Sequence, residues 1–117
     1  MIYFSDLSNF RKVIFENNRS DVLEINVGQE GVLEEMYNDH DVFTKTEYED
    51  LRVLDNPNAD YNEAQNSLFL NLLEPKEDKA IRIFRGILER QYELVYRSIL
   101  KAEALLNANG MFCLYWV

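Results

Sequence analysis

The sequence predicts an α+β fold: a single small domain in which an antiparallel or mixed β-sheet packs on one long C-terminal helix, over about residues 75–108, with shorter helices around it. Three observations predict it. Apolar residues recur at helical spacing over residues 81–106, residues 21–27 alternate between apolar and polar, and residues 111–117 form a continuous apolar run. A chain of 117 residues with 47% hydrophobic content can bury one core. We therefore expect one domain, residues 1–117.

The long C-terminal helix is the element with the clearest pattern. Pro75 suits a first helical position and Gly110 suits a helix end. Its apolar residues cover about 200° of the helix surface, which predicts a position in the middle of the fold; they are Ile81, Ile83, Phe84, Ile87, Leu88, Tyr92, Leu94, Val95, Ile99, Leu100, Ala102, Leu105 and Leu106. A coiled-coil dimer is the alternative, but its heptad seam would contain Gln91 and Ser98, so we expect a monomer.

The predicted sheet draws on three segments. Residues 21–27 place Leu23, Ile25 and Val27 on one side, as in a half-buried strand. Residues 111–117 are predicted to be a strand covered on both faces, paired with residues 21–27 or with residues 2–4. Residues 41–54 alternate like a strand up to Thr46, whereas Thr46 and Glu49 match a capping box that would open a helix. We expect a strand through Thr46 and a turn or short helix after it.

Shorter helices are predicted before and between these segments. Ser5 or Ser8 can cap a first helix that ends at residues 17–18. A short helix is expected over residues 32–38, and another follows Asn58 and ends at Glu74, because the residue before a proline is steered away from helical geometry.

Negative charge is concentrated in residues 21–63, which we call the acidic segment. It holds thirteen acidic residues against two basic ones, a net charge of −11, while the whole chain carries −9. The rest of the chain is therefore close to neutral. We predict that carboxylates of this segment form a protein-binding surface; the candidates are Glu30, Glu34, Glu35, Asp39, Asp41, Glu47, Glu49, Asp50, Asp55, Asp60 and Glu63.

Composition and sequence patterns disfavour several classes of partner and location. An isoelectric point near 4.5 disfavours nucleic acid and anionic membranes as direct ligands, because phosphates recruit Lys and Arg. The lone Cys113 cannot form an internal disulfide and lies in an apolar run, which fits a reducing compartment. No stretch approaches the length of a membrane span and residues 1–6 do not resemble a secretion signal, so we expect a cytoplasmic protein.

The sequence offers no catalytic or metal-binding motif. His40 lies between Asp39 and Asp41, but neighbours on a strand point to opposite faces and the chain has no second histidine. Residues 56–62 resemble the start of a calcium loop, yet Tyr61 stands where that loop needs glycine and Ser67 where it needs a bidentate glutamate. P-loops, serine elbows and dinucleotide turns are absent. We therefore expect no cofactor, no metal and no enzymatic activity.

The charge of the acidic segment has two explanations. It belongs either to a solvated surface whose only role is to keep the protein soluble, or to a binding surface that imitates a polyanion. In length and acidity, the chain resembles the small acidic bacterial DNA-mimic proteins, in particular the neisserial kind that binds the histone-like protein HU. The resemblance is one of general character, and no sequence motif is shared. It implies that some carboxylates take the place of DNA phosphates; they are Glu34, Glu35, Asp39, Glu47, Glu49 and Asp50. It implies competition with DNA for a basic DNA-binding protein.

An immunity protein, which neutralises a nuclease toxin by plugging its basic active-site cleft, is the alternative function. The electrostatics would be the same, and only the partner differs. Aromatic residues close to the acids would either anchor such an interface or pack in the core; they are Tyr37, Phe43, Tyr48 and Tyr61.

Overall fold

A computed structural model describes residues 7–17, 19–22, 24–55 and 59–116, and these residues contain helices and turns but no β-strand. The elements are α1 (Ser8–Lys12), a first π-helical turn (Val13–Asn17), α2 (Arg19–Val22), α3 (Val32–Glu34), a second π-helical turn (Glu35–Asp39), α4 (Lys45–Arg52), α5 (Ala59–Leu73), α6 (Asp78–Gln91) and α7 (Glu93–Trp116). The α+β prediction is therefore wrong, and the fold is all-helical over the described residues.

The predicted N-terminal helix is confirmed as α1 and the first π-helical turn. It buries Phe10, Val13 and Ile14, as the apolar spacing predicts. Ser8 is the first helical residue and not the cap, because Leu7 occupies the cap position without a side-chain cap hydrogen bond. The alternative cap, Ser5, lies outside the described residues.

The predicted strand over residues 21–27 is wrong. Val22 ends α2, and residues 24–31 form a series of turns. Ile25 and Val27 are buried as expected, but a side-chain amide replaces the strand ladder. Asn66 of α5 donates to the carbonyl of Ile25 and accepts from the N–H of Val27 at 3.4 Å. Since buried backbone groups must be paired by some partner, an apolar alternation does not by itself require a sheet.

The segment after these turns is helical. The short helix expected over residues 32–38 is confirmed as α3 and the second π-helical turn. The strand expected through Thr46 is wrong, because Thr44 caps α4 in a complete capping box: the N–H of Glu47 donates to Thr44 Oγ1 at 3.1 Å, and the N–H of Thr44 donates to Glu47 Oε1 at 2.9 Å. The motif lies two residues earlier than the predicted Thr46 and Glu49 pair.

Helix α5 confirms the helix predicted before Pro75, and the predicted cap Asn58 lies outside the described residues. Phe69 of α5 is fully buried and contacts two other aromatic rings. Its ring centroid is 5.6 Å from that of Phe43 and 5.1 Å from that of Phe84, which belongs to α6. All three rings are buried, so the loop before α4, α5 and α6 meet at one aromatic cluster.

The single helix predicted over residues 75–108 is wrong. Helix α6 begins at Asp78, after a turn that contains Pro75, and the chain leaves helical geometry at Tyr92, with φ −130° and ψ 62°. Helix α7 then runs past Gly110 to Trp116, so the strand predicted over residues 111–117 is also wrong. Val117 itself lies outside the described residues. The residues around the break include no glycine or proline, and the hydroxyl of Tyr92 donates to Glu30 at 2.6 Å. The break between α6 and α7 therefore coincides with the tertiary contact of Tyr92 with Glu30 and not with a local helix-breaking residue.

Helix α7 folds back on α6. Arg85 and Glu103 form an ion pair at 3.2 Å, although a straight helix would separate their Cα atoms by about 27 Å at 1.5 Å per residue. Helix α7 also contacts α1 and the first π-helical turn. This arrangement divides the wide apolar stripe: Ile99 is fully buried, whereas Leu94 is 80% exposed and Leu105 is 64% exposed.

Candidate acidic interaction surface

Helix α4 is the element of the acidic segment that the structure fixes most firmly. Tyr48 of α4 stacks on Tyr37 of the second π-helical turn, with ring centroids 4.2 Å apart and planes 9° from parallel. Phe43, just before the helix, is buried and therefore cannot anchor a partner. Together with the capping box, these contacts set the orientation of the carboxylates that α4 carries.

Arg52, near the end of α4, pairs with two of the predicted binding carboxylates. It forms an ion pair with Glu34 and a second one with Asp55 at 2.8 Å, and it donates to the carbonyl of Gly28 at 3.0 Å. Asp55 also accepts from Gln65 of α5. Arg52 and its partners therefore hold the turns of residues 24–31, α3, α4 and α5 together, and this use removes Glu34 and Asp55 from the predicted binding surface.

The close approach at Gly28 explains why a glycine stands there. A Cβ atom at this position would overlap the amide of Gln65 and the carboxylate of Asp55. Gln65 also donates to the carbonyl of Leu51 at 3.0 Å and is buried. The side chains around Arg52 thus form a packed polar junction, in which a residue larger than glycine at position 28 would displace the ends of the Gln65 and Asp55 side chains.

Three more predicted carboxylates have partners in other elements. Glu35 accepts from Arg90 at 2.6 Å, with His40 3.6 Å away. Glu47 accepts from Lys76 at 2.7 Å. Glu30 accepts from the hydroxyl of Tyr92, as described above. These contacts join the acidic segment to α6 and to the turn before it, and they have a structural role.

Two of these contacts shift protonation equilibria. Burial opposes ionisation of Glu47, but hydrogen bonds from Lys76 and Thr44 and the charge of Lys76 outweigh it, so the pKa of Glu47 is lowered from its ordinary value of 4.5. Burial and the hydrogen bond to Glu30 raise the pKa of Tyr92. The Tyr92 hydroxyl therefore remains a donor to Glu30 at neutral pH.

The remaining candidates face solvent. Asp39, Asp41, Glu49, Asp50 and Glu63 are exposed. Glu49 forms an ion pair with Lys45 at 4.0 Å, between side chains that are both largely exposed, and such pairs contribute little to stability. The side chain of Asp60 lies outside the described residues. Among the described residues, the structure therefore reduces the predicted surface to five solvent-facing carboxylates, which we call the outer carboxylates.

The outer carboxylates on α4 accompany an apolar side chain that the sequence analysis missed. At 100° per residue, Glu49, Asp50 and Val53 fall on one face of the helix, and Val53 is 79% exposed. The signal was present in the sequence, because a capping box at Thr44 fixes the helical phase of the residues that follow. The strand prediction over the same residues concealed it.

Two further outer carboxylates precede α4 in the chain: Asp39 ends the second π-helical turn, and Asp41 lies in the loop after it. Asp41 has φ +53°, a left-handed conformation that few residues other than glycine adopt. Together with His40 it borders a groove of about 440 Å³ between this loop and the start of α6, where Lys76, Glu77 and Lys79 also lie. The charges that line the groove are mixed. Within the described part of the chain, no group of three metal-ligating side chains is found.

Neither family membership nor a related structure identifies this surface. No protein-family description, no curated protein and no solved structure matches the chain. Among the described residues, no helix is both long and apolar enough to cross a membrane. The outer carboxylates and their surroundings are therefore the features of this chain that bear on its function.

Proposed function

We propose that this protein is a non-enzymatic, cytoplasmic binding protein that mimics DNA and occupies the DNA-binding surface of a basic protein such as the nucleoid protein HU. The outer carboxylates carry the proposal. They are exposed while neighbouring carboxylates are tied to Arg52, Arg90 and Lys76, so they are available to meet lysine and arginine side chains of a partner. In this role they take the place of DNA phosphates.

The rigid mounting of α4 supports this role. The Tyr37 and Tyr48 stack, the capping box and the Arg52 junction hold the helix before any partner arrives. A surface that is already ordered loses less conformational entropy on binding. The five paired carboxylates thus contribute indirectly, because they fix the elements that present the outer ones.

Competition for HU tests the proposal directly. A fluorescently labelled DNA duplex bound to HU should be displaced by the protein, and displacement should weaken as salt rises from about 50 to about 300 mM. The double variant Glu49→Lys with Asp50→Lys should lose about tenfold or more in apparent affinity. Glu34 is left out of this variant because its reversal would break the pair with Arg52.

A matched control separates local from overall charge. Glu16→Lys with Glu89→Lys changes the net charge by the same amount at two exposed positions outside the acidic segment. This variant should displace DNA from HU nearly as well as the wild type. Equal losses in the two double variants would show that only net charge matters, and no displacement by the wild type would exclude HU as the partner.

Val53 favours a second candidate, the immunity protein that plugs the basic cleft of a nuclease toxin. Val53 is exposed, and a surface that only imitates a row of DNA phosphates needs no apolar side chain. Protein–protein interfaces, in contrast, commonly have an apolar side chain at their centre. Val53→Ala should weaken inhibition of a nuclease and leave displacement of DNA from HU unchanged. An effect on neither would remove Val53 from both interfaces.

A further inference from the structure

The junction between α6 and α7 consists of one residue in a sequence that favours a continuous helix. Tyr92 alone separates the two helices, and residues 88–96 contain neither glycine nor proline. Leucine, glutamate, arginine and glutamine, which dominate the preceding turn, are good helix formers. Local preference at this point therefore opposes the turn that the fold contains.

The turn also leaves helical hydrogen bonds unmade. The N–H of Tyr92 donates to Leu88, and its carbonyl accepts from the N–H of Tyr96, so each helix is intact up to the junction. The last carbonyls of α6 and the first N–H groups of α7 are the end groups that a helix cannot pair internally. A straight helix through Tyr92 would pair the N–H groups of residues 93–95 with the carbonyls of residues 89–91.

Tertiary contacts of α7 hold the turn in place. Ile99 is buried, the ion pair between Arg85 and Glu103 joins α7 to α6, and the guanidinium of Arg85 also lies 5.8 Å from the ring centre of Tyr96. Helix α7 further contacts α1 and the first π-helical turn. Each of these contacts can be made equally well by α7 of another copy, because the surfaces involved are identical.

We propose that the α6–α7 junction straightens and that α7 then packs on α6, α1 and the first π-helical turn of a second copy, giving a domain-swapped dimer in exchange with the closed monomer. The swapped dimer keeps the contacts of Ile99 and Glu103 and adds the helical hydrogen bonds that the turn omits. A one-residue hinge joining two packed elements favours such an exchange.

An exposed leucine next to the hinge supports the same arrangement. Leu94 is 80% exposed in the closed monomer although it lies two residues from the junction. In a swapped dimer the two straight helices cross near Tyr92, which brings Leu94 of each copy close to the other copy. Burial of an exposed leucine would stabilise the dimer by the hydrophobic effect.

Charge exchange between Arg85 and Glu103 tests the proposal, because it distinguishes contacts within a chain from contacts between chains. The variant Arg85→Glu places two carboxylates together in its closed monomer, and Glu103→Arg places two guanidinium groups together. When the two variants are mixed, a swapped heterodimer restores both ion pairs between the copies. A closed monomer gains nothing from mixing.

We expect the equimolar mixture to contain about tenfold more dimer than either variant alone, measured by light scattering at twice the chain mass of 13.9 kDa. Native mass spectrometry should find one copy of each variant in that dimer. If the single variants fold poorly, circular dichroism should show helix content rising on mixing, which supports the proposal equally.

The double variant Arg85→Glu with Glu103→Arg restores the pair within one chain and serves as the folded control. Two folded variants that stay separate on mixing would overturn the proposal. So would a dimer that forms equally in each variant alone, since that is association without exchange of α7. Failure to fold both separately and mixed, while the double variant folds, would overturn it as well.

Discussion

The guanidinium of Arg11 donates to the carboxylate of Asp78 at 2.9 Å across 67 residues of sequence. The same side chain donates to the carbonyls of Glu74 at 2.9 Å and Lys76 at 2.7 Å. Arg11 therefore joins α1 to the turn between α5 and α6 and to the first residue of α6, and it supplies donors to two carbonyls of that turn.

We expect Arg11→Ala to lower the free energy of unfolding by about 2 kcal/mol, since it removes hydrogen bonds to two carbonyls and a partly exposed ion pair. Urea denaturation measures the change. Lys12→Ala is the matched control, because Lys12 is exposed and has no ion-pair partner among the described residues. A control that loses as much stability would show that the loss does not come from the contacts of Arg11, since alanine itself favours the helix.

Leu88 and Leu94 belong to the same apolar stripe in the sequence but have opposite environments. Leu88 is fully buried, whereas Leu94 is 80% exposed. Leu88→Ala should cost about 2–5 kcal/mol of unfolding free energy because it leaves a cavity. Leu94→Ala should change the unfolding free energy of the monomer by no more than about 0.5 kcal/mol. Urea denaturation at low protein concentration measures both variants. If they lose equal amounts of unfolding free energy, the packing of α7 described above is contradicted.

Gly86 lies in the interior of α6 with no atom near the place that a Cβ would occupy. Gly86→Ala should therefore raise the free energy of unfolding by about 1 kcal/mol, because alanine is the better helix former. Gly31→Ala should do the reverse, since φ is +86° there. Thermal denaturation of the two variants compares them, and a loss of stability in Gly86→Ala would indicate a neighbour that the structure does not show.

The contact between Glu47 and Lys76 predicts a dependence of stability on pH. Because the pKa of Glu47 is lower in the folded protein than its ordinary value of 4.5, its contribution is fully present above that value. It is lost as the pH falls through the lowered, folded pKa. The stability difference between the wild type and Glu47→Gln should therefore be constant near neutral pH and shrink in acid.

Urea denaturation over a pH series measures this difference. In a Lys76→Met background, which lacks the cation, the pH-dependent part of the Glu47→Gln effect should be smaller. A difference that grows in acid would contradict the assigned direction of the shift.

Local patterns in the sequence predicted some of the helices. They failed where contacts between residues far apart in the sequence determine the backbone conformation. Helix α5 was found because its apolar spacing ends before Pro75, and the first helix was found for a similar reason. The turn at Tyr92 was missed because its contact is with Glu30, 62 residues away in the chain. The alternation of residues 21–27 predicts a strand, but the amide of Asn66 pairs part of their backbone instead. This residue lies about forty positions further along the chain, so no local pattern indicates the contact.

The candidate surface shows the same division. Counting charges along the chain defines the acidic segment, but it cannot separate the paired carboxylates from the outer ones. Arg52 pairs with Glu34 across 18 residues, and Arg90 pairs with Glu35 across 55. Such pairs depend on how the helices pack, and no spacing rule within one helix predicts them.

The amide of Asn66 has a consequence for the order in which the chain folds. Backbone partners pair the N–H of Ile25 and the carbonyl of Val27, whereas the carbonyl of Ile25 and the N–H of Val27 are paired by the side chain of Asn66 in α5. The chain between Val27 and Asn66 must close into a loop of 39 residues' separation before this contact can form. Closing such a loop is slow compared with the formation of a helix. These turns should therefore acquire their native shape late, after α5 has docked. A partner that grips the acidic segment would then recognise only molecules whose core is already complete.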